Sequence, residues 1–265
     1  MQCVLLKSLQ RHWLGVLALA CLCGSVAAAD EPSLAPEPSP YLSAQQVATS
    51  VVPPDRATAV ALRHPRRADF AGEPASEEAR HVARWAVHSG DHQGLPFAIV
   101  DKVQARVFVF DAQGRLRGSA PALLGLARGD DSVPGIGERP LSGIRPEERT
   151  TPAGRFVAAL GRNLRGEDIL WVDYDTAISM HRVIDTHPSE RRPQRLASAT
   201  PLDNRISYGC INVPAGFYDK VVIPAFSGTH GIVYVLPETR SARNVFASYD
   251  VEALGPAHRV AALKP

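Results

Sequence analysis

Short apolar segments separated by turn residues fill the stretch from Pro96 to Pro237, and they limit the fold more than any other feature of this chain. In each segment the apolar residues alternate with polar ones or form a continuous run, as is typical of β-strands. The segments cover residues 97–101, 105–111, 116–126, 156–160, 168–174, 177–183 and 231–236. Two polar loops, 125–154 and 185–205, interrupt them, and loops of that length are usually functional or disordered. We predict a mostly β domain over residues 96–237 with a few short helices and long loops.

The N-terminal 29 residues have the features of an export signal. A positively charged start precedes an apolar stretch at 13–23, which is too short to span a bilayer, and the small residues 27–29 suit cleavage before Asp30. A lipid anchor at Cys21 is the weaker alternative, because Ala18 stands where lipid-attachment motifs prefer a larger aliphatic residue. We therefore expect an exported, periplasmic protein with a signal peptide at residues 1–29.

Three further segments flank the β region. Residues 30–75 are rich in Pro and Ala and lack a sustained apolar period, which predicts a flexible tether. Residues 76–95 are predicted to hold a helix that Ser76 caps and Gly90 ends. The tail, residues 238–265, has no pattern that predicts a regular element.

The charge balance excludes one class of partner. Without residues 1–29 the chain has 27 basic and 27 acidic side chains, and its net charge is zero when the histidines are neutral. Nucleic-acid-binding domains usually carry a strongly basic patch, so nucleic acid is not an expected partner. After the signal, no segment is apolar over the length that a membrane-spanning helix requires.

A single cysteine, Cys210, remains once the predicted signal is removed. Structural cysteines of exported proteins are normally paired, so a lone thiol is either a nucleophile or a small buried hydrophobic residue. The thiolate is the reactive form and an ordinary thiol has a pKa of about 8.5, so a nucleophile needs a base, most naturally histidine. The preceding Gly209 allows a sharp turn that directs the following N–H groups at a bound carbonyl, as in an oxyanion hole.

Three histidines lie within the β region. His181 ends the apolar segment 177–180, and a strand end can hold a base rigidly. His187 lies in the polar loop, where a solvated side chain is expected, and His230 lies in a turn. We predict that His181 is the base and keep His187 as the alternative.

Three motifs resemble those of L,D-transpeptidase catalytic domains. Residues 207–212, Ser-Tyr-Gly-Cys-Ile-Asn, resemble the family's cysteine motif of Ser or Thr, His, Gly, Cys, an apolar residue, and Asn or Arg. Residues 151–156 are similar to the family's Thr-Pro-x-Gly-x-Phe, and residues 178–181 to its apolar strand that ends in the base. The resemblance covers approximately residues 96–237 and implies an L,D-transpeptidase-like, β-sandwich or barrel-like catalytic domain.

The resemblance also implies a thiol acyltransferase that acts on peptidoglycan stem peptides. Cys210 would attack the bond between the L-centre of diaminopimelate, the third stem residue, and the following D-Ala, which leaves as a thioester forms. A second diaminopimelate amine would resolve the thioester into a 3–3 cross-link, and an anchored outer-membrane protein is another implied acceptor. His181 would take the thiol proton and later serve the incoming amine. No metal and no organic cofactor is implied.

The chain departs from the family pattern in two places. Tyr208 replaces the usual histidine before the glycine, which leaves that residue's contribution to the oxyanion region open. His181 lies 29 positions before Cys210, more than the typical family gap, because the loop 185–205 is long. His187 would shorten the gap to 23 positions.

Polar residues around the motif receive supporting roles. Ser207 and Asn212 are expected to brace the turn that carries the cysteine. Four arginines are candidate partners for stem-peptide carboxylates, with solvated side chains as the alternative: Arg182, Arg191, Arg192 and Arg205.

Three other functions stay open at this point. A metal site of His181, His187 and Cys210 matches no zinc spacing, and no second cysteine remains after the predicted signal to complete one. A non-catalytic wall-binding protein of the same fold would have a buried, unreactive Cys210. A cysteine carboxypeptidase or other hydrolase would keep the chemistry and use water as the acceptor.

Overall fold

The computed structural model describes residues 67–163 and 165–254, and within them the chain forms ten strands. The strands are β1 Phe97–Asp101, β2 Arg106–Phe110, β3 Leu116–Pro121, β4 Leu124–Gly125, β5 Gly154–Arg162, β6 Asp168–Asp173, β7 Ile178–Arg182, β8 Arg205–Ser207, β9 Ile211–Val213 and β10 Gly231–Val235. The longest described helix, α1, is Glu77–Ser89. The predicted signal, its alternative at Cys21 and most of the predicted tether lie outside the described residues.

Eight strands form one mixed sheet in the order β3-β2-β1-β10-β5-β6-β7-β9, and β4 pairs with β8 in a second, two-stranded sheet. Leu123, between β3 and β4, exchanges two backbone hydrogen bonds with Asn212 of β9, at 2.8 and 2.9 Å. The two ends of the eight-stranded sheet therefore meet, and the sheet is nearly closed. The prediction of a mostly β, barrel-like fold with short helices and long loops is confirmed.

The strands β1, β2 and β10 are largely apolar because both faces of the sheet are covered there. One face packs on the helical turns Ala215–Phe217, Tyr218–Val222 and Ile223–Phe226 through a cluster that includes Val100, Val109, Leu170, Met180 and Val233. The other face packs on α1 and the helix Ala242–Phe246 through a cluster that includes Phe97, Phe108, Phe110, Ile232 and Tyr234. Strand β1 is buried along its whole length, which explains its continuous apolar run.

Helix α1 begins and ends where the sequence predicts. The Ser76 side chain accepts a hydrogen bond from the Ala79 N–H at 3.0 Å, and Gly90 ends the helix with φ +75°. Described residues before and after the predicted helix and β region also pack on the domain. Phe70 is buried edge-on against two aromatic rings of β2, and Phe246 of the predicted tail stacks on Trp85. No helix among the described residues is both long enough and apolar enough to cross a membrane.

The two long loops are built from short turns and tied to the sheet. The first contains the 3₁₀ turns Ile136–Glu138, Leu141–Gly143 and Pro146–Glu148. The second contains the turns Pro188–Glu190 and Pro201–Asn204 and the short helix Arg192–Leu196. The sequence pattern did not predict β8 and β9, which have three residues each, because so short a segment has no measurable period. They lie on either side of Cys210.

Candidate active site

Gly209 shapes the turn that carries Cys210 between β8 and β9. Its φ of +128° is a conformation that residues with a side chain rarely adopt. A Cβ at this position would lie 2.8 Å from the Thr150 carbonyl oxygen and 2.7 Å from Ile178 Cδ1. Glycine is therefore required here both by the backbone conformation and by close packing against the end of the first long loop.

Hydrogen bonds inside the motif fix this turn. Ser207 Oγ donates to the Cys210 carbonyl oxygen at 2.6 Å and accepts from the Gly209 N–H at 3.1 Å. Asn212 Nδ2 donates to the same Cys210 carbonyl at 3.1 Å. The Ser207 and Asn212 side chains thus both bind the Cys210 carbonyl oxygen, and neither side chain is exposed.

The sheet brings His181 to Cys210 across the intervening 185–205 loop. Strand β7, which His181 occupies, pairs in parallel with β9, so that His181 lies opposite Asn212. Strand alternation places His181 on the face opposite to Ile178 and Met180, which belong to the core. There its ring forms a hydrogen bond with Cys210.

The tautomer of His181 follows from its second hydrogen bond. Nδ1 lies 2.7 Å from the Arg182 carbonyl oxygen. A carbonyl oxygen only accepts, so Nδ1 carries the proton, and the neutral ring presents Nε2 to Cys210 as an acceptor. The imidazole is therefore oriented to take a proton from the thiol.

The local charges favour the protonated ring. Burial alone lowers the pKa of His181, but the hydrogen bond and the charge interaction with Cys210 outweigh it, so the pKa is raised above its ordinary value. The bond to the Arg182 carbonyl acts in the same direction, while the positive charge of Arg192 opposes it. A raised pKa of the base favours transfer of the proton from sulfur to imidazole.

Two residues that the sequence analysis did not select also contact the sulfur. Ser179 Oγ lies 3.6 Å from Cys210 Sγ, and the Ala177 carbonyl oxygen lies 3.7 Å from it. Ser179 is two residues before His181 on β7 and so shares its face of the strand. The period of two could have identified it, since a fully buried serine in an apolar strand calls for a polar partner.

Three of the four arginines proposed as carboxylate ligands, Arg182, Arg192 and Arg205, have side-chain partners within the protein. Arg182 binds Asp219 at 2.6 Å, and Arg205 binds Glu238 at 2.6 Å. Arg192 is closest to the chemistry, because its Nη1 donates to Asn212 Oδ1 at 2.7 Å while its Nε binds Glu190 Oε2 at 2.5 Å.

Tyr208 packs on an arginine, and His187 is exposed in the second long loop. The guanidinium carbon of Arg149 lies 3.9 Å from the centre of the Tyr208 ring, so Tyr208 packs on a cation at the position where the family has histidine. His187 is exposed at the start of the turn Pro188–Glu190. Within residues 67–163 and 165–254, His, Cys, Asp and Glu side chains do not gather into a group of three or more that could hold a metal ion.

Comparison with known proteins gives matches only among solved structures. No family model matches the chain, and no curated protein matches it. The helical cell shape determining protein Pgp2 from Campylobacter jejuni is 14% identical with a TM-score of 0.36, and the match covers 56% of this chain and 49% of that one. An L,D-transpeptidase from Mycobacterium tuberculosis is 16% identical with a TM-score of 0.34, covering 53% and 57%.

A third match is the catalytic domain of an E. faecium L,D-transpeptidase, which is 17% identical with a TM-score of 0.30 and is covered over 95% of its length, against 53% of this chain. The chain is similar to L,D-transpeptidase domains. It spans only about half the length of the Campylobacter and mycobacterial chains. The chemistry of the site rests on the geometry of this chain and not on these likenesses.

Proposed function

We propose that this protein is an exported L,D-transpeptidase-like acyltransferase that forms a thioester between Cys210 and a peptidoglycan stem peptide. One observation supports this above the others: His181 is held by the Arg182 carbonyl in the tautomer that accepts a proton, and its ring is hydrogen bonded to Cys210. A base oriented by a third group beside a thiol is the arrangement that nucleophilic cysteine catalysis requires.

The first half-reaction transfers the acyl group to sulfur. His181 Nε2 takes the proton from Cys210 Sγ, and the thiolate attacks the carbonyl carbon before D-Ala. We assign stabilisation of the resulting oxyanion to backbone N–H groups of the turn that carries Cys210. The protonated imidazole then gives its proton to the leaving amine of D-Ala, and the thioester remains.

The second half-reaction returns the enzyme to its initial state. An acceptor amine attacks the thioester carbonyl, gives a proton to His181 and expels the Cys210 thiolate, which takes the proton back from the ring. A diaminopimelate amine as acceptor gives a 3–3 cross-link, and the amine of an anchored protein gives protein attachment. No residue described above selects between these acceptors, and with water the same steps give a hydrolase.

The non-catalytic alternative makes a different demand on the cysteine. A wall-binding protein of this fold has no need to expose a thiol or to orient a base beside it. Cys210 is half-buried rather than enclosed, and its sulfur lies among Ser179, Ala177 and His181. These contacts favour catalysis over binding alone.

Mass spectrometry of products from disaccharide-tetrapeptide fragments tests the proposal. We expect D-Ala release by the wild-type protein and none by Cys210→Ala. Loss of the base in His181→Ala should slow release by roughly 10²- to 10⁴-fold, with His187→Ala as the matched control close to wild type. A cross-linked dimer identifies the transpeptidase, and release without a dimer identifies the hydrolase. If Cys210→Ala releases D-Ala as the wild type does, or if no D-Ala is released by any variant, the proposal is wrong.

A further inference from the structure

A buried lysine lies close to the candidate active site without facing it. Lys102 follows β1, and its side chain is completely inaccessible to solvent. Its ammonium group donates to the Gly129 carbonyl at 2.5 Å, to Asp130 Oδ1 at 2.9 Å and to the Thr151 carbonyl at 3.0 Å. These bonds use all three N–H donors of the lysine. Burial lowers the pKa of Lys102, while the bond to Asp130 opposes that change.

The carboxylate partner is equally well satisfied. Asp130 accepts from the backbone N–H groups of Glu238, Thr239 and Arg240 at 2.8 to 2.9 Å, and also from the Thr239 hydroxyl. The Asp130 side chain is as inaccessible as that of Lys102. The pair therefore joins the first long loop to the segment that follows β10.

Two chains of hydrogen bonds lead from Lys102 to the turn of the cysteine. On one side, Lys102 holds the Thr151 carbonyl, and Thr151 Oγ1 donates to the Gly209 carbonyl at 2.7 Å while accepting from the Gly125 N–H at 2.9 Å. On the other side, the Lys102 carbonyl accepts from Arg205 Nη2 at 2.9 Å. Arg205 begins β8, the strand that leads directly into the turn. Both the beginning of β8 and the residue before Cys210 are thus tied to one buried residue, the first through the Lys102 backbone carbonyl and the second through its ammonium group.

From this geometry we propose that Lys102 and Thr151 are positioning residues that hold Cys210 at the correct distance from His181. Arg205 belongs to the same network, since Glu238 Oε2 binds it at 2.6 Å and leaves it a structural role rather than that of a ligand for substrate. The inference rests on the proposed function only in naming Cys210 as the nucleophile. The geometry of the turn does not depend on which acyl group or acceptor the enzyme uses.

Stability alone does not account for a buried ionic cluster here. Desolvating an ammonium and a carboxylate offsets most of their attraction, and apolar side chains of similar volume often replace such pairs without loss. Apolar side chains form no hydrogen bonds, so they cannot fix the orientation of a carbonyl group. Hydrogen bonds from Lys102 and Thr151 fix three carbonyl groups, those of Gly129, Thr151 and Gly209, at definite angles. An error of about 1 Å in a catalytic group can lower a rate by roughly 10²-fold.

A pair of substitutions at Thr151 separates positioning from packing. Thr151→Val keeps the shape and removes the hydroxyl that binds Gly209, whereas Thr151→Ser keeps the hydroxyl. Alkylation of Cys210 by iodoacetamide is measured as a function of pH, because it reports the thiolate held by His181 without any peptidoglycan substrate. Val82→Ala, in α1 and away from the site, is the control for loss of stability alone.

In Thr151→Val we expect the pH of half-maximal alkylation to rise by about one pH unit, while the alkylation rate at high pH stays unchanged. Such a rise corresponds to a thiolate fraction that is about tenfold smaller near neutral pH. Thr151→Ser should retain most of the wild-type profile, Lys102→Met should shift it as Thr151→Val does, and Val82→Ala should leave it unshifted. In D-Ala release, kcat should fall by roughly 10- to 100-fold in Thr151→Val with KM little changed.

Either of two results overturns the inference: a Thr151→Val profile that coincides with wild type, or an equal shift in Val82→Ala or Thr151→Ser. If Lys102→Met does not fold, the Thr151 pair alone decides. Wild-type protein that is alkylated as expected but releases no D-Ala would contradict the proposed function and leave the positioning of Cys210 established by the alkylation profiles.

Discussion

Replacing Gly209 by alanine tests the turn that carries the nucleophile. The added Cβ would lie 2.8 Å from the Thr150 carbonyl oxygen, which is backbone and moves only with its loop, and 2.7 Å from Ile178 Cδ1. The alanine residue would also have to adopt a φ of +128°. Backbone strain of that kind costs of order 1–3 kcal/mol, and overpacking of a tight site costs of order 1–3 kcal/mol more.

We therefore expect Gly209→Ala to lower the free energy of unfolding by about 2–6 kcal/mol, a large part of the 5–15 kcal/mol that is typical of a domain. Any movement of the turn that relieves the contacts shifts Cys210 relative to His181. Stability is measured by urea unfolding followed by tryptophan fluorescence, and the position of the thiol by its iodoacetamide alkylation rate near neutral pH. Both values should fall.

Gly216→Ala is the matched control. Apart from its chain neighbours and the backbone of its own helix, no heavy atom lies within 4 Å of a Cβ at Gly216, which lies in the helical turn Ala215–Phe217. We expect this variant to gain about 0.5–1 kcal/mol, as is usual when alanine replaces glycine in a helix, and to be alkylated at the wild-type rate. The reasoning fails if Gly209→Ala matches wild type in both stability and alkylation.

Three further predictions concern ionisation. The pKa of His181, measured by NMR titration of the imidazole, should fall in Cys210→Ala. In the wild-type protein burial acts to lower this pKa, but the interaction with Cys210 outweighs burial and raises it. An unchanged pKa would mean that the two side chains do not interact. Arg192→Gln should raise that pKa, since the Arg192 charge lowers it, and a fall in the same titration would contradict the arrangement. Burial acts to raise the pKa of Asp130, but hydrogen bonds, the largest from Thr239, outweigh burial and lower this pKa. The stability that the ionised carboxylate contributes is therefore present above about pH 4 and is lost as the pH falls. Urea unfolding of Asp130→Asn should show a smaller loss of stability between about pH 5 and pH 2 than wild type, and equal losses would refute this.

Features encoded over a few residues were predictable from the sequence. The strands β1, β2, β3, β5, β6, β7 and β10 follow from short apolar segments that either alternate with polar residues or run without interruption, and α1 follows from Ser76, its periodic apolar face and Gly90. The short strands β8 and β9 were not predictable, because their pairing partners, rather than their composition, make them strands. The boundaries of the domain also depended on distant contacts, such as that of Phe70 with β2.

The candidate site, like the fold, was predictable from the sequence only in part. The sequence by itself determined that Cys210 follows a glycine in a sharp turn and that His181 ends an apolar strand, since both are local properties of residue type and spacing. Only the tertiary structure decided that β7 pairs with β9 and so joins the two residues across 29 positions. It also decided that Arg205 binds Glu238 and that Lys102 supports Thr151. A charged side chain can pair with any opposite charge or carbonyl group, and the fold alone determines which of them comes within reach.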